Sequence, residues 1–535
     1  MKILFIIPRY NLTNEKNYNY VFPLGLGYIS SVIKEAGYEI DCLNLNHFEG
    51  TIEGIIEKKM NKKKYDIVCS GHTGIGYSII EKIVRAVHDH PSSPKIIIGG
   101  ALITSEPELM LKSLNPDFIV ISEGEKTIVE LLKCLEKNED LEKVNGIGYR
   151  NNDGKTIFTK PREPIENLDS LPIPDFEGFG YNEKLEHTYS SEVLANALDY
   201  PRPYYILGSR SCPFQCTFCY HSIGSKYRVR SIENIICEID LAIKKYRINC
   251  LILYDDLFST NKERVYEFCK RIKEITNKLP EFKWSCSLWV TTVNTELLKT
   301  LKDAGCVIVG MGFESYSSKV LRSMNKPITP QQIDNAVRAC NKASMPITGG
   351  FIFGDVAETK ETAKETLDYW KNNGDGQLQL GFIQPYPGSA IYHHCIKKGI
   401  IKDKLDFIKN KISHTNWINM TDQMTDEEIH QLKEDLLRAR REGYRYVIPS
   451  QVKKTGKKVY TLEVKCPFCK DTIQYKNCHI LNRIHYSLYI NCRNCNKRYY
   501  IASFLRKFEM NHYQELEFLR RNYLLARDKL LKQRL

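Results

Sequence analysis

Apolar and polar positions divide the first 150 residues into repeated strand and helix units. Short apolar runs, each suited to a buried strand, are followed by stretches in which apolar residues recur every three or four positions, as on one helix face. The runs that predict strands are Lys2–Pro8, Glu39–Leu43, Tyr65–Cys69, Lys95–Ile98 and Asp117–Ile121. These units predict an α/β domain, residues 1–150, with a doubly wound, Rossmann-like parallel sheet.

A second series of strand and helix units occupies residues 200–400. We read six units, with helical patterns such as Lys262–Lys273 and Pro330–Lys342 between the strands. The predicted strands are Tyr204–Gly208, Cys250–Tyr254, Lys283–Val290, Val307–Phe313, Ile347–Phe353 and Gln377–Gln384. Six such units predict a partial TIM-like (β/α)6 barrel, whose chemistry is expected at the carboxyl ends of the strands.

The remaining segments carry weaker patterns. Residues 151–199 are predicted to be a linker, with a hairpin arm at Lys155–Arg162 and a stiff Pro-rich turn at Leu171–Asp175. Residues 401–460 are predicted to be helical, with a charged amphipathic helix at Thr425–Glu442. Residues 461–535 are expected to form a zinc ribbon and a basic helical tail that begins at Phe504.

Charge is concentrated at one end of the chain. Residues 451–535 contain 19 Lys and Arg against 6 Asp and Glu, which accounts for the whole formal net charge of +13. The tail is therefore either a solvated basic face or a dock for an acidic carrier protein, a nucleic acid or an anionic membrane surface. No run approaches about 18 apolar residues, so we expect no transmembrane segment. The first residues read as a strand rather than a signal peptide, and most cysteines are scattered singly, which favours a cytoplasmic protein.

Three cysteines, Cys212, Cys216 and Cys219, follow the first strand of the second series. A [4Fe–4S] cluster normally takes four thiolates, so a tight loop with three leaves one iron open to a small molecule. The alternatives are a zinc knuckle, with His221 as a fourth ligand, or part of a disulfide framework. We favour the cluster with an open iron.

Two further cysteine pairs lie near the end of the chain. Cys466 and Cys469 form one C-x2-C knuckle, and Cys492 and Cys495 form a second, with 22 residues between them. This spacing is typical of a structural zinc ribbon, which folds a segment too small to build its own core. An auxiliary iron–sulfur cluster is the alternative.

Glycines cluster at the predicted strand ends of residues 1–150. Strand-end glycines would let the backbone approach a large ligand at the carboxyl edge of the sheet. The candidate binding residues in these loops are Gly71, His72, Thr73, Gly99, Gly100, Glu123 and Gly124. The run Gly71–Gly76 imitates a dinucleotide-binding fingerprint. It follows the third strand rather than the first, however, and it lacks the expected acidic residue, which disfavours nicotinamide or flavin binding.

The cysteine loop, with C-x3-C-x2-C spacing and Phe218 before the third cysteine, resembles the signature of the radical S-adenosylmethionine (SAM) enzymes. The resemblance implies that Cys212, Cys216 and Cys219 hold the cluster and that SAM chelates the open iron. The reduced cluster then cleaves SAM to a 5′-deoxyadenosyl radical, which abstracts a hydrogen atom from the substrate. Asp256 and Glu314, at later strand ends, are expected to contact SAM. Ser285–Trp289 lacks an arginine often seen in that strand of the family.

The order of elements in residues 1–150 resembles the cobalamin-binding domain that precedes many radical SAM barrels. Pro23–Gly27 opens the first helix, Gly99–Gly100 follows the fourth strand and Glu123–Glu125 follows the fifth. The Asp-x-His-x-x-Gly motif that supplies a cobalt-ligating histidine is absent, since His47–Gly50 imitates only its second half. We therefore expect bound cobalamin without an axial protein histidine, and His72 is a minor candidate for a cobalt contact.

These resemblances imply a cobalamin-dependent radical SAM enzyme, most simply a methyltransferase acting on an unactivated carbon of a small-molecule, lipid or peptide substrate. An electron donor such as flavodoxin or ferredoxin is implied as well. A cyclase, oxidase or epimerase with the same cofactors, a radical SAM enzyme that has lost cobalamin, and a metal-stapled nucleic-acid-binding protein remain alternatives. A methylthiotransferase would need three further cluster cysteines in its N-terminal domain. Cys42, Cys69 and Cys134 are candidates by number, but each is expected in the core within a strand or helix, which disfavours this function.

Overall fold

The first part of the chain is built on a seven-stranded sheet. The structure, a computed structural model, describes residues 1–72, 76–192, 197–374, 376–412 and 417–513. The strands are β1 (Lys2–Ile7), β2 (Glu39–Asn44), β3 (Ile67–Gly71), β4 (Lys95–Gly99), β5 (Phe118–Val120), β6 (Ile147–Arg150) and β7 (Thr156–Phe158). Their order is β2-β1-β3-β4-β5-β6-β7, with the first five parallel and the last two antiparallel.

Both faces of this sheet are covered. Alternate side chains of β1 enter two different apolar cores: Ile3, Phe5 and Ile7 pack on one face, and Leu4 and Ile6 on the other. The helices are α1 (Leu24–Glu35), α2 (Ile52–Met60), α3 (Tyr77–His88), α4 (Ala101–Ser105), α5 (Pro107–Leu114) and α6 (Glu125–Lys137). The predicted doubly wound sheet is therefore confirmed.

Residues 151–192 and 197–199 connect this sheet to the second one and also pack against both. After β7, the chain reaches Asp175, which accepts a hydrogen bond from Ser30 Oγ (2.6 Å) and pairs with Lys34 Nζ (2.6 Å). The next residue, Phe176, stacks on Phe22 of the first region (4.2 Å between ring centroids) and on Tyr204 of the second (4.4 Å). A short helix, α7 (Tyr181–Glu186), follows.

The second region contains a barrel with six parallel strands, the fifth of which is split in two, and a short antiparallel pair, β9 and β10. Its strands are β8 (Pro203–Ile206), β9 (Ser209–Arg210), β10 (Arg228–Val229), β11 (Cys250–Leu253), β12 (Lys283–Ser287), β13 (Cys306–Gly310), β14 (Ile347–Thr348), β15 (Gly350–Phe353) and β16 (Gln379–Phe382). The strands β8, β11, β12, β13 and β14 are adjacent and parallel, β15 pairs in parallel with β16, and a bridge between Glu314 and Phe351 joins the two parts. This arrangement confirms the partial (β/α)6 barrel.

One predicted strand is split. Ile347–Phe353 divides into β14 and β15 at Gly349, whose φ is +132°. A Cβ at Gly349 would lie 1.8 Å from the carbonyl oxygen of Met311, so only glycine fits this kink. Outside the barrel strands lie α8 (Ile232–Tyr246), α9 (Lys262–Lys278), α10 (Thr295–Asp303), α11 (Ser318–Ser323), α12 (Pro330–Ala343), α13 (Lys360–Asn373) and α14 (Ala390–Lys397).

The C-terminal region combines helices with a strand-rich ribbon. Its elements are α15 (Lys404–Asp406), α16 (Asp426–Gly443), β17 (Tyr446–Val447), β18 (Gln451–Gly456), β19 (Val459–Lys465), β20 (Thr472–His479), β21 (Ser487–Asn491), β22 (Arg498–Ala502) and α17 (Phe504–Asn511). Thr425 caps α16 with a capping box, close to the predicted start. The predicted helical region was wrong beyond Gly443, because residues 446–456 pair with ribbon strands. Residues 514–535 of the predicted tail helix lie outside the described residues.

The ribbon is attached to the amino ends of the barrel strands. Buried Arg498 donates hydrogen bonds to the main-chain carbonyls of Ile347 and Gln377, which lie at the starts of β14 and β16. On the other side of the barrel, Arg493 Nη2 pairs with Asp199 (2.7 Å), just before β8. The ribbon therefore links the first and last barrel strands. Across the described ranges, no helix combines the length and the apolar character needed to cross a bilayer.

Candidate functional site

Cys212, Cys216 and Cys219 lie in the loop between β9 and β10. These two short strands pair antiparallel, with Arg210 opposite Arg228, and so close the loop at its base. The loop is fixed further by a hydrogen bond from Thr217 N to the carbonyl of Met324 (2.9 Å). Phe214, in the same loop, stacks on Trp289 with ring centroids 4.0 Å apart.

The three loop cysteines are not arranged around a single small ion. Among the described residues, Cys212, Cys216, Cys219 and His221 form no group of three whose ligand atoms all lie within 4.8 Å of one another. Two Zn–S bonds of about 2.3 Å would separate thiolates by only about 3.8 Å. The wider spacing disfavours the zinc knuckle. Burial raises the pKa of the Cys216 thiol to about 11, so a bound metal must displace its proton.

A largely buried ion pair, formed by two residues that follow β13 in the chain, lies beside the cysteine loop. Glu314 has a φ of +63°, and Lys326 Nζ donates a hydrogen bond to its Oε1 at 2.9 Å. The Lys326 ammonium also lies 5.2 Å from the ring centroid of Trp289. Burial alone would lower the pKa of Lys326, but the Glu314 carboxylate more than offsets this and raises it. Lys326 therefore stays charged next to the cysteines.

Two cavities share Asp256, a neighbour of Cys212, as a lining residue. The first, of about 450 Å³, lies within the barrel at the carboxyl ends of its strands, and Glu314 and several glycines line it. The second, of about 610 Å³, lies between the carboxyl edge of the first sheet and the cysteine loop. Asp256 lines both cavities, and burial raises the pKa of its carboxyl group.

The larger cavity contains most of the binding residues predicted from the first sheet. Gly71, His72, Gly99, Gly100, Glu123 and Gly124 all line it, together with Ser209, Arg210 and Ser211 from the barrel. Thr73 lies outside the described residues. A Cβ at Gly71 would lie 2.7 Å from the carbonyl of Gly99, and one at Gly100 would lie 2.3 Å from that of His72. The wall of the cavity at β3 and β4 is therefore bare backbone. The His72 imidazole packs against Gly76, at the start of α3.

The predicted cofactor contact Glu123 has a different set of partners in the structure. Its carboxylate pairs with Arg210 Nη1 (2.7 Å) and Arg228 Nη1 (2.8 Å), and it also accepts a hydrogen bond from Ile165 N (2.7 Å). Arg210 Nη2 pairs with Glu125 (2.6 Å). At most 8% of any of these four side chains is exposed. The network joins the end of β5 to the two strands that close the cysteine loop.

The arginines of this network are functional candidates that the sequence patterns did not single out. Their partners lie far away along the chain: Arg210 is separated from Glu123 by 87 positions. The only local signal was the position of Arg210, two residues before Cys212. That position does not reveal the contact with Glu123.

The four ribbon cysteines form a compact group. All four sulfur atoms lie within 4.8 Å of one another; Cys466 Sγ is 3.8 Å from Cys495 Sγ, and Cys469 Sγ is 3.6 Å from Cys492 Sγ. These separations match the edge of about 3.8 Å expected for four thiolates around one tetrahedral zinc ion. The group could therefore hold a single zinc ion, and this geometry disfavours a larger iron–sulfur cluster.

The barrel region and the first sheet region each match a known protein family. Residues 206–369 match the family model of the radical SAM superfamily, and residues 11–132 match that of the B12 binding domain. The chain therefore carries a B12 binding domain followed by a radical SAM domain. This combination implies a [4Fe–4S] cluster, SAM and cobalamin as cofactors.

Individual proteins are similar over most of the chain. An uncharacterized methyltransferase from Pyrococcus horikoshii is 29% identical over 412 residues, which cover 75% of this chain and 84% of the relative. The anaerobic magnesium-protoporphyrin IX monomethyl ester cyclase of Rubrivivax gelatinosus is 26% identical over 400 residues, covering 73% and 69%. The solved structure of the radical SAM methyltransferase TsrM from Kitasatospora setae, with cobalamin and a [4Fe–4S] cluster bound, has a similar fold, with a TM-score of 0.60, 14% identity and coverage of 74% and 78%.

Replacing Glu123 with Gln should destabilise the protein by about 3–5 kcal/mol, because it leaves two buried arginines short of a counter-charge. Glu130→Gln is the matched control, since Glu130 pairs with Arg162 but is 48% exposed and should cost less than about 1 kcal/mol. Chemical unfolding at pH 7 compares the two variants. Equal losses of stability would contradict the structural role of the network.

The Glu123 contribution should also depend on pH. Burial alone would raise the pKa of this carboxyl group, but its arginine hydrogen bonds lower it overall. A carboxyl group whose pKa is lower in the folded state stabilises the fold at pH values above its unfolded-state pKa of about 4.3. This stabilisation is lost as the pH falls through the folded-state pKa. The stability difference between wild type and Glu123→Gln should therefore shrink below about pH 4. A constant difference down to pH 3 would contradict the assignment.

The ribbon should bind one zinc ion per chain. Cys469→Ser should lower the zinc content severalfold and unfold the ribbon, because a structural zinc ion supplies much of the folding free energy of such a segment. Cys478→Ser is the control, because Cys478 is also buried in the ribbon core but lies outside the four-cysteine group. Elemental analysis and limited proteolysis measure both effects. Unchanged zinc in Cys469→Ser would contradict this site.

Proposed function

We propose that this protein is a cobalamin-dependent radical SAM methyltransferase that transfers a methyl group to an unactivated carbon. The observation that carries the proposal is that Asp256 lines both the barrel cavity and the interdomain cavity, and that Ser211 and Ser222 of the cysteine loop line the interdomain cavity. A substrate at this junction would reach both cofactors. The similarity to methyltransferases supports the same conclusion.

Cys212, Cys216 and Cys219 would hold three irons of the cluster and leave the fourth open. Phe218 would cover the cluster from within the loop. When bound, the cluster would supply the electron for reductive cleavage of SAM. Within the barrel cavity, Glu314 and Asp256 offer carboxylates to the amino group and the ribose of SAM, and Lys326 positions Glu314 through their hydrogen bond.

The cavity between the two regions would hold cobalamin, which supplies the methyl group. Gly71, Gly99, Gly100 and Gly124 line this cavity, and at three of them a Cβ would collide with neighbouring protein atoms, so glycine lets the loops of the wall pack closely beside the ligand. His72 lies in the cavity wall with its ring against Gly76, so it gives no support for an axial histidine ligand. Side chains such as Leu26, Ile29 and Ile98 make the wall apolar and limit the access of water.

The cysteines of the ribbon, Cys466, Cys469, Cys492 and Cys495, would bind a structural zinc ion. Their group lies on the side of the barrel where the strands begin, through the contacts of Arg498 and Arg493, whereas Glu314 and Asp256 lie at the ends of the strands. A zinc ion there would take no part in the reaction. The cluster would receive electrons from a low-potential donor such as flavodoxin or ferredoxin in the cytoplasm.

A cyclase is the second candidate function, because a magnesium-protoporphyrin IX monomethyl ester cyclase is similar over 73% of the chain. The two functions use the same cofactors and differ in the fate of the substrate radical. Mass spectrometry of the product separates the two functions, since the product of a methyltransferase is about 14 Da heavier than its substrate. The product of a cyclase loses hydrogen or gains oxygen instead.

Production of 5′-deoxyadenosine tests the proposal. The protein, purified without oxygen and supplied with iron, sulfide and cobalamin, should cleave SAM in the presence of a strong reductant. Cys216→Ala should lower the yield at least about a hundredfold, because removing a thiolate destroys the cluster site. Cys237→Ala is the matched control, because Cys237 is exposed on α8 and should leave the yield unchanged. Equal yields in both variants, or a wild type that holds zinc but no iron, would contradict the proposal.

A further inference from the structure

The ribbon carries the most exposed large apolar side chains among the described residues. Phe504 is 73% exposed, Ile484 72% and Leu481 70%, and Leu505 and Phe508 are also exposed. Leu481 and Ile484 lie in the loop between β20 and β21, and the others lie on α17, which has no buried residue. We call these five residues the apolar edge.

The loop and α17 lie side by side. His485 Nε2 is 2.8 Å from Glu509 Oε2, and Ser503 N donates a hydrogen bond to the carbonyl of Tyr486 (3.1 Å). The core of the ribbon is formed by other residues, including Ile480, Ile490 and Ile501. The apolar edge therefore consists of exposed side chains on two adjacent segments, and the ribbon does not need them for its own packing.

Positive charge surrounds the apolar edge. Arg483 lies within the loop, Arg506 and Lys507 lie on α17, and the guanidinium of Arg441, at the end of α16, is 4.0 Å from the ring centroid of Tyr513. Glu509 is the acidic residue of α17, and it is engaged by His485 and Arg506. The 22 residues that follow Tyr513 have a similar composition, with seven Leu, six Lys and Arg and three Asp and Glu.

We propose that the apolar edge docks the enzyme on an anionic phospholipid surface. Apolar side chains that project beside arginine and lysine match the boundary between acyl chains and acidic headgroups. Three of the five side chains are aliphatic, whereas a single-stranded nucleic acid is bound by aromatic side chains on which its bases stack. The apolar residues enter the acyl boundary, and the surrounding cations contact lipid phosphates. This docking surface does not depend on the proposed methyl transfer.

Vesicle sedimentation with the full-length, zinc-loaded protein tests the proposal. The protein should sediment with vesicles of phosphatidylcholine that contain about a third phosphatidylglycerol, and pure phosphatidylcholine should bind at least about tenfold less, because the cations need an acidic partner. Added salt should weaken the binding to anionic vesicles, since the charge term is screened.

Variants identify the surface. Ile484→Ser combined with Phe504→Ser should weaken binding to anionic vesicles at least about tenfold, because two inserting side chains are lost. The matched control replaces two exposed apolar residues elsewhere, Tyr200→Ser with Leu241→Ser, and should bind like wild type. A charge variant, Arg483→Glu with Lys507→Glu, should abolish the preference for anionic vesicles. Unchanged zinc content shows that each ribbon variant is folded.

Three results would overturn the proposal. Wild-type protein that binds neither kind of vesicle has no lipid docking surface. If the variant Ile484→Ser with Phe504→Ser still binds vesicles like wild type, the lipid-binding surface lies elsewhere on the chain. If the wild type binds no vesicles but binds RNA or an acidic carrier protein, and this variant loses that binding, the apolar edge serves another partner.

Discussion

The buried network of Glu123, Glu125, Arg210 and Arg228 determines how the two halves of this enzyme face each other. Its two arginines lie opposite each other on the short strands that close the cysteine loop, and both pair with one carboxylate at the end of β5. The two positive and two negative charges balance, and each is paired, which makes burial of all four tolerable. The loop that would hold the cluster is thus anchored on the domain that would hold cobalamin.

The site follows from this contact and from the two parallel sheets. Parallel strands with helices on their faces place loops at their carboxyl ends, and ligands bind there in both architectures. The network turns the two carboxyl edges toward each other, so that the cavities of about 610 and 450 Å³ meet at Asp256. Glycine at the edges of β3 and β4 lets the loops of one wall pack closely, and the Lys326–Glu314 pair keeps charge beside the cysteines at the other.

Local patterns were sufficient to predict the elements and the chemical groups, but not their tertiary partners. The periodicity of apolar residues predicted both sheets, and cysteine spacing located both candidate metal centres. The division of the predicted strand Ile347–Phe353 at Gly349 was not predicted, because it depends on the carbonyl of Met311, which approaches from a neighbouring segment. The arginine partners of Glu123 were not predictable, since a strand-end acid gives no sign of arginines 87 and 105 positions away. The strands at residues 446–456 were missed because their partners lie later in the chain.

If the two cofactors lie next to each other across the interdomain cavity, their unpaired electrons must interact. Electron paramagnetic resonance of the protein loaded with cobalt(II) cobalamin and a reduced cluster measures this interaction. We expect the spectrum of each centre to be broadened or split by the other, and to be unperturbed when the protein holds only one of them. A spectrum equal to the sum of two isolated centres would place the cofactors far apart and contradict their arrangement around one cavity.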